Sequence, residues 1–135
     1  MKEAVCRTFS TDTTELRFMT AWFRDVIAKS GLDEEATSKA EVCLNEAAAN
    51  IMTHAHEGER RHSIRIEIQL ENRDLRMTIV DDCRPFNPLD APPPSRLRSI
   101  EDAPVGGLGI GLIRAYARDI SYRRERGHNI LVLMF

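Results

Sequence analysis

Excess charge of one sign, paired cysteines and long apolar runs are all missing from this chain. Its 135 residues carry a formal net charge of −2, which argues against a protein that binds nucleic acid directly. No apolar run approaches the roughly 18 residues that a membrane-spanning helix needs, and no signal-peptide core follows Met1. The composition, 42% hydrophobic and 30% charged, is that of a globular protein able to build a core without metal or disulfides.

The cysteines show no pattern typical of a disulfide framework or a zinc site. Cys6, Cys43 and Cys83 are odd in number, widely spaced and free of any C-x-x-C pair. Such thiols are expected to be reduced in a cytoplasmic protein, rather than joined in a disulfide framework or gathered around zinc. No internal repeat and no composition change separates the chain, so residues 1–135 are predicted to form a single domain.

Hydrophobic periodicity predicts a sheet and three helices. Strict alternation runs through residues 63–71, where Ile64, Ile66, Ile68 and Leu70 share one face and the other face is polar or charged. Further strands are expected at residues 4–9, 75–80, 120–125 and 130–135, and helices at residues 14–29, 34–56 and 108–118. A sheet that is apolar on only one face excludes a doubly wound fold and predicts an α+β two-layer sandwich.

The second helix carries the pair on which the functional interpretation depends. Glu46 and Asn50 are four residues apart, so a helix presents their carboxylate and amide on the same side, one turn apart. The pair could hold a metal ion and a hydroxyl together, or it could belong to a solvated back face. The small apolar neighbours Val42, Cys43 and Ala49 favour a helix that is covered on both sides. Polar groups there need partners, because a buried polar group without a hydrogen bond costs about 1–3 kcal/mol.

The last predicted helix is preceded by a glycine cluster, which consists of Gly106, Gly107, Gly109 and Gly111. Glycines at the mouth of a helix let a phosphate approach the backbone closely and meet free N–H groups. The spacing is not that of a dinucleotide fingerprint, and Leu112 stands where a P-loop has lysine. Taken alone, the cluster is either a phosphate-binding segment or a flexible hinge.

A third segment joins a strand end to a turn that contains two prolines. The strand predicted at residues 75–80 continues into the sequence DDCRPFNP, which begins at Asp81. Together with Glu46-x-x-x-Asn50 and the sequence GGLGIGLI from Gly106, this segment resembles, in order and spacing, the nucleotide-site motifs of the GHKL ATPases. That superfamily joins gyrase, heat-shock chaperones, histidine kinases and MutL. The likeness is strongest to bacterial anti-sigma factor serine/threonine kinases of the RsbW and SpoIIAB type.

The resemblance implies a Bergerat-type fold, with a mixed and mostly antiparallel sheet and helices on one face, and a site for ATP and Mg²⁺. Asn50 is implied to give its amide oxygen to Mg²⁺, Glu46 to act as the general base and Asp81 to accept a hydrogen bond from the adenine amino group. Residues 85–105 are implied to form a lid over ATP. The implied ATP-binding residues are Asn50, Asp81, Cys83, Phe86, Gly106, Gly107, Leu108, Gly109, Ile110 and Gly111.

Cys83 departs from the family pattern. The family has glycine at this position, where the backbone comes close to the adenine ring. A cysteine side chain fits there if the backbone angle is ordinary, outside the left-handed region that favours glycine.

The resemblance also implies partners. Kinases of this type phosphorylate a serine or threonine of a small anti-anti-sigma (STAS-type) protein, which competes with a sigma factor for the kinase. We expect the same partner switch here, in a cytoplasmic homodimer that binds neither nucleic acid nor a membrane. An ATP-gated binding protein with little kinase activity is the alternative, which Cys83 favours. An isolated catalytic domain of a histidine kinase ranks last, because no dimerisation helix with a phosphoacceptor histidine precedes the motifs.

Overall fold

Five strands and three helices make up most of the part of the chain that the computed structural model describes, residues 3–55, 62–90 and 107–135. The strands are β1 (Glu3–Ser10), β2 (Ser63–Glu71), β3 (Asp74–Asp81), β4 (Asp119–Glu125) and β5 (His128–Met134). The helices are α1 (Leu16–Ala28), α2 (Glu34–Ala55) and α3 (Gly107–Tyr116), with 3₁₀ turns at Thr13–Glu15 and Pro88–Asp90. Every predicted strand and helix is present, with bounds that move by a few residues.

The strands form a single sheet in the order β1-β2-β3-β5-β4. All four pairings are antiparallel, so the parallel part of the predicted mixed sheet is not found among the described strands. Tight turns explain two of these pairings. Asn72 and Arg73 join β2 to β3, and Arg126 and Gly127 join β4 to β5, all with positive φ, as two-residue hairpin turns require. The predicted α+β two-layer architecture is confirmed.

One face of the sheet is covered by the helices, and the core lies between the two layers. The inward positions of the central strands are almost fully buried: Ile64, Ile66, Ile68, Leu75, Met77, Ile79 and Leu133. The alternate positions of β2 and β3 are exposed or half-buried up to Val80, and they carry polar and charged side chains such as Arg65, Glu67 and Arg76. Because each buried side chain of this size contributes about 1.5–3 kcal/mol, this alternation fixes which face of the sheet meets the helices.

Helix α2 is the centre of the helical layer and packs against both α1 and α3. Its start is fixed by Asp33, whose carboxylate accepts a hydrogen bond from the Ala36 N–H at 2.7 Å. Residues on opposite sides of the helix are buried, among them Leu44, Met52 and Cys43, so the small apolar residues of α2 allow close packing all round. Within the described ranges of the chain, no helix is long and apolar enough to cross a membrane.

The predicted lid falls largely outside the described residues. Its first part, residues 85–90, is described and ends in the 3₁₀ turn Pro88–Asp90. The rest of the lid and Gly106 lie in the undescribed interval 91–106. Arg114 of α3 donates a hydrogen bond to the Leu89 carbonyl, so this first part of the lid is tied to the helix that follows it.

Candidate functional site

A pocket opens between α2, the ends of β3 and β5, and the segment that leaves β3. Four of the predicted ATP-binding residues line it, Asn50, Asp81, Cys83 and Phe86. The other lining residues are Ala47, Ile51, Arg84, Pro88, Ile113, Tyr122, Asn129 and Leu131. The fold therefore brings residues from distant parts of the sequence to one apolar cleft with a few polar groups, as is typical of small-molecule sites.

Asn50 places in this pocket a side-chain amide that has no hydrogen-bond partner among the described residues. The residue is only 8% exposed, and its side chain forms no hydrogen bond with any residue that the structure describes. A buried amide without a partner costs about 1–3 kcal/mol, which a bound ligand would recover. An amide oxygen is also a ligand that Mg²⁺ accepts, so the donor at this position fits the predicted cation.

Asp81 ends β3 and places a carboxylate in the same pocket. It is 5% exposed, and its Oδ1 accepts the Cys83 N–H at 3.0 Å and the Asn129 side-chain N–H at 2.9 Å. Oδ2 receives no N–H from the described part of the protein, and the adjoining Cys83 thiol is only a weak donor. One carboxylate oxygen is therefore held rigidly while the other remains available to a ligand that carries an amino group.

Asn129 connects Asp81 to the segment that follows it. The register of β3 and β5 sets Asn129 directly opposite Asp81. Its amide N–H groups donate to Asp81 Oδ1 and to the Arg84 carbonyl, both at 2.9 Å. Its oxygen accepts from the Tyr122 hydroxyl at 2.6 Å and from the Phe86 N–H at 3.3 Å. Asn129 thus fixes both the carboxylate and the turn that lines the pocket.

Cys83 fits the turn with ordinary backbone geometry. Its φ is not positive, since the described non-glycine residues with positive φ are Asn72, Arg73 and Arg126. The thiol is 4% exposed and lines the pocket, while the Cys83 carbonyl accepts a hydrogen bond from Arg124 at 2.7 Å. Burial first, and the negative charge of Asp81 second, raise the pKa of this thiol to about 12. The position therefore accepts a side chain, and the neutral thiol forms part of the pocket wall.

The other predicted residues that the structure describes belong to α2 and to the start of α3. Glu46 is half-buried, one turn before Asn50 on α2, and its charge helps burial to raise the pKa of the Cys43 thiol to about 12. Of the glycine segment, Gly107, Leu108, Gly109, Ile110 and Gly111 form the beginning of α3, whose Ile113 reaches the pocket. The first N–H groups of a helix have no partner within it. Helix α3 therefore begins at Gly107, one residue earlier than predicted, and the glycines at 107, 109 and 111 are part of it.

The sequence matches the histidine kinase-like ATPase domain over residues 9–135. The chain belongs to this family. The family has ATP as its ligand, and the predicted superfamily is confirmed.

One curated relative and two solved structures are similar to this chain. The serine/threonine-protein kinase BtrW of Bordetella bronchiseptica is 28% identical over 130 residues, which cover 91% of this chain and 92% of that protein. The fold is similar to that of the RsbU and RsbW domains of Rv1364c from Mycobacterium tuberculosis, with a TM-score of 0.67 and 14% identity. It is also similar to a histidine kinase domain of a blue-light activated kinase from Erythrobacter litoralis, with a TM-score of 0.54 and 12% identity. The matches cover 98% and 90% of this chain, but 32% and 59% of those two chains.

Asn129 is a pocket residue that the sequence prediction did not single out. Its contacts hold Asp81 and the backbone of the following turn in place. The sequence shows that Asn129 lies in the last strand hairpin, which does not reveal the residue opposite it. The register of β3 and β5 supplies that information, because it pairs Asn129 with Asp81, which lies 48 residues earlier in the sequence.

Replacement of Asn129 by alanine is expected to lower the free energy of unfolding by about 1–3 kcal/mol, because Asp81 loses a buried donor. Tyr122→Phe removes a single hydrogen bond to the same amide and is expected to cost about 1 kcal/mol. Urea denaturation of the two variants and the wild type measures both effects. Equal stabilities of the wild type and Asn129→Ala would contradict the structural role of this hydrogen-bond network.

Proposed function

We propose that this protein is an ATP-dependent serine/threonine kinase that phosphorylates a small anti-anti-sigma protein of the STAS type, and so controls a sigma factor by partner switching. One observation carries the proposal. The Asp81 carboxylate and the Asn50 amide line the same pocket, and the amide has no partner among the described residues. The relative BtrW, named as a serine/threonine kinase, supports the class of reaction.

The pocket has the polarity that adenine needs. Asp81 is an acceptor, so it favours the amino group of adenine over the carbonyl that guanine has at the same position. The walls formed by Ile51, Phe86 and Ile113 suit an apolar ring. The α3 N-terminus, with glycines at 107, 109 and 111, would direct free N–H groups to the phosphates, aided by the helix dipole.

Glu46 and Asn50 would do the chemical work from one side of α2. Asn50 would hold Mg²⁺ through its amide oxygen, and the bound ion supplies neutralisation of the phosphate charge. Glu46, one turn away, would orient the incoming serine or threonine hydroxyl of the partner and accept its proton. Few side chains are required beyond these, because phosphoryl transfer depends mainly on positioning and charge neutralisation.

A second function is favoured by the Cys83 thiol in the pocket wall. The family has glycine there, and the larger side chain takes space beside the Asp81 carboxylate. A protein that binds ATP in a shifted position would still change its affinity for partners but would transfer phosphate slowly, if at all. The alternative is therefore an ATP-gated binding regulator with little or no kinase activity.

The setting of the reaction is part of the proposal. The cysteines Cys6, Cys43 and Cys83 are all free thiols, which agrees with a reducing compartment such as the cytoplasm. The homodimer is carried over from the resemblance to anti-sigma kinases, and the partners would be a sigma factor and an anti-anti-sigma protein.

Incubation with labelled ATP, Mg²⁺ and a purified STAS-type anti-anti-sigma protein tests the proposal. We expect label on a serine or threonine of that partner, and none when Mg²⁺ is removed by a chelator. A partner whose acceptor residue is changed to alanine is the matched control. Nucleotide-dependent binding of the partner without transfer of label would support the gated regulator instead, and the absence of ATP binding would exclude both.

A further inference from the structure

Three side chains that can bind a metal ion meet at the border of the pocket, which one of them, Cys83, also lines. His62 immediately precedes β2, while Asp82 and Cys83 immediately follow β3. The antiparallel register pairs Ile64 with Asp81, so the residues before β2 and after β3 come together at the same edge of the sheet. The ligand atoms of His62, Asp82 and Cys83 all lie within 4.8 Å of one another.

The three side chains are held in place by the strands around them. The His62 Nδ1 and Asp82 Oδ1 atoms are 3.2 Å apart, and the same oxygen accepts the Ser63 N–H at 3.0 Å. The side chains of His62 and Asp82 are 15% and 30% exposed, and Cys83 is 4% exposed. The cluster is thus partly shielded, yet solvent and ions can reach it from the side of Asp82.

We propose that His62, Asp82 and Cys83 form a binding site for a divalent transition-metal ion of the zinc class, with a fourth position open to water. An imidazole, a carboxylate and a thiolate are the donors that Zn²⁺ accepts in proteins. A thiolate is a poor ligand for Mg²⁺, so the site differs in chemistry from the one assigned to Asn50.

The geometry requires only a small contraction. Tetrahedral coordination at ordinary zinc–ligand distances places the ligand atoms roughly 3.3–3.6 Å apart. The imidazole nitrogen and the carboxylate oxygen, 3.2 Å apart, are close to this separation, and the thiol has to approach by at most about 1.5 Å. On binding, the Cys83 sulfur loses its proton to solvent and bonds to the ion, while His62 binds in its neutral form. The Ser63 N–H continues to orient the carboxylate of Asp82 from behind.

The metal site would be coupled to the nucleotide pocket through Cys83. Without metal, this thiol lies in the pocket wall and contacts Asp81. Coordination turns the sulfur toward His62 and changes the space and the charge beside the Asp81 carboxylate. Metal and ATP would then alter each other's affinity by the same factor, as linkage requires. This consequence rests on the proposed function, whereas the metal site itself does not.

Titration of the metal-free protein with Co²⁺, in the absence of nucleotide, tests the site. We expect stoichiometric binding with a thiolate-to-cobalt charge-transfer absorption, which Zn²⁺ removes by displacement. Cys83→Gly, which restores the family residue, should abolish the absorption and lower the Co²⁺ affinity about 100-fold, and His62→Gln should also weaken binding. If Cys83→Gly does not fold, as judged by circular dichroism, Cys83→Ser provides the same comparison.

Cys6→Ser is the matched control, because Cys6 is the exposed thiol and lies beside Arg65 at the outer face of the sheet. This variant is expected to bind Co²⁺ as the wild type does. A charge-transfer absorption that survives in Cys83→Gly but disappears in Cys6→Ser would overturn the proposal. Absence of stoichiometric binding to the wild type would also overturn it, and would leave His62 and Asp82 as a purely structural hydrogen-bonded pair.

Discussion

Asp81→Asn is expected to remove about half or more of the thermal stabilisation that ATP gives the wild-type protein. The substitution keeps the Oδ1 acceptor that binds the N–H groups of Cys83 and Asn129, so the turn after β3 can stay in place. It replaces Oδ2 by an NH₂ group, which sets a donor against the amino group of adenine. The two donors face each other in a buried site, and the hydrogen bond from the adenine amino group to a charged acceptor is lost. Such a hydrogen bond contributes about 1.5–3 kcal/mol, or roughly 10–100-fold in affinity.

The expected size of the effect follows from mass action. ATP at about 100 times its dissociation constant stabilises the wild type by about 2.7 kcal/mol. An affinity that is 10-fold weaker at the same concentration leaves about 1.4 kcal/mol, and one that is 100-fold weaker leaves about 0.4 kcal/mol. Thermal unfolding with and without ATP measures this difference, and unfolding without ATP shows whether the variant is intact.

Asp74→Asn is the matched control for this experiment. The Asp74 carboxylate lies at the other end of β3, where it pairs with Arg118 at 3.0 Å and does not line the pocket, so its neutralisation should leave the ATP-induced shift in place. An ATP shift in Asp81→Asn that equals that of the wild type would remove the adenine assignment. In that case GTP should be compared with ATP, because a pocket that does not read the amino group has no reason to prefer adenine.

The architecture could be predicted because its signals are local. The alternation of Ile64, Ile66 and Ile68 with polar residues specifies a sheet with one buried face, and neighbouring positions carry that information. The start of α2 is likewise indicated by Asp33, whose side chain accepts a hydrogen bond from the backbone N–H three residues later. Such patterns do not contain the register between β3 and β5, and they do not tell a parallel pair from an antiparallel one.

The sequence predicts those parts of the candidate site that belong to sequence motifs of the family. The spacing of Glu46 and Asn50 on one helix, and Asp81 at the end of a strand, are visible in the sequence. The buried position of Asn50 could also be expected from the sequence, because the small apolar neighbours Val42, Cys43 and Ala49 favour a helix that is covered on both sides. What the sequence could not supply is the contact between Asp81 and Asn129, or the cluster of His62 with Asp82 and Cys83. Both depend on which strands lie side by side.

Glu46→Gln is expected to lower the rate of phosphoryl transfer about 10²–10⁴-fold, the range typical of a lost general base. The amide has nearly the same size as the carboxylate, but it cannot accept the hydroxyl proton of the partner. Glu46 does not line the described pocket, so the affinity for ATP should remain that of the wild type. Single-turnover transfer of label to the STAS-type partner measures the rate, and a binding titration with ATP measures the affinity.

Glu41→Gln separates this catalytic effect from a general change of charge on α2. Glu41 lies on the same helix, and its carboxylate pairs with Arg24 of α1 at the protein surface. A surface ion pair of this kind contributes about 0–1 kcal/mol, so its loss should leave phosphoryl transfer almost unchanged. Rates in both Glu46→Gln and Glu41→Gln that equal the wild-type rate would show that Glu46 is not the general base. Loss of ATP binding in Glu46→Gln would instead assign this side chain to the binding of the nucleotide and its cation. The kinase proposal therefore requires both results together: slow transfer and intact ATP binding in Glu46→Gln, with neither altered in Glu41→Gln.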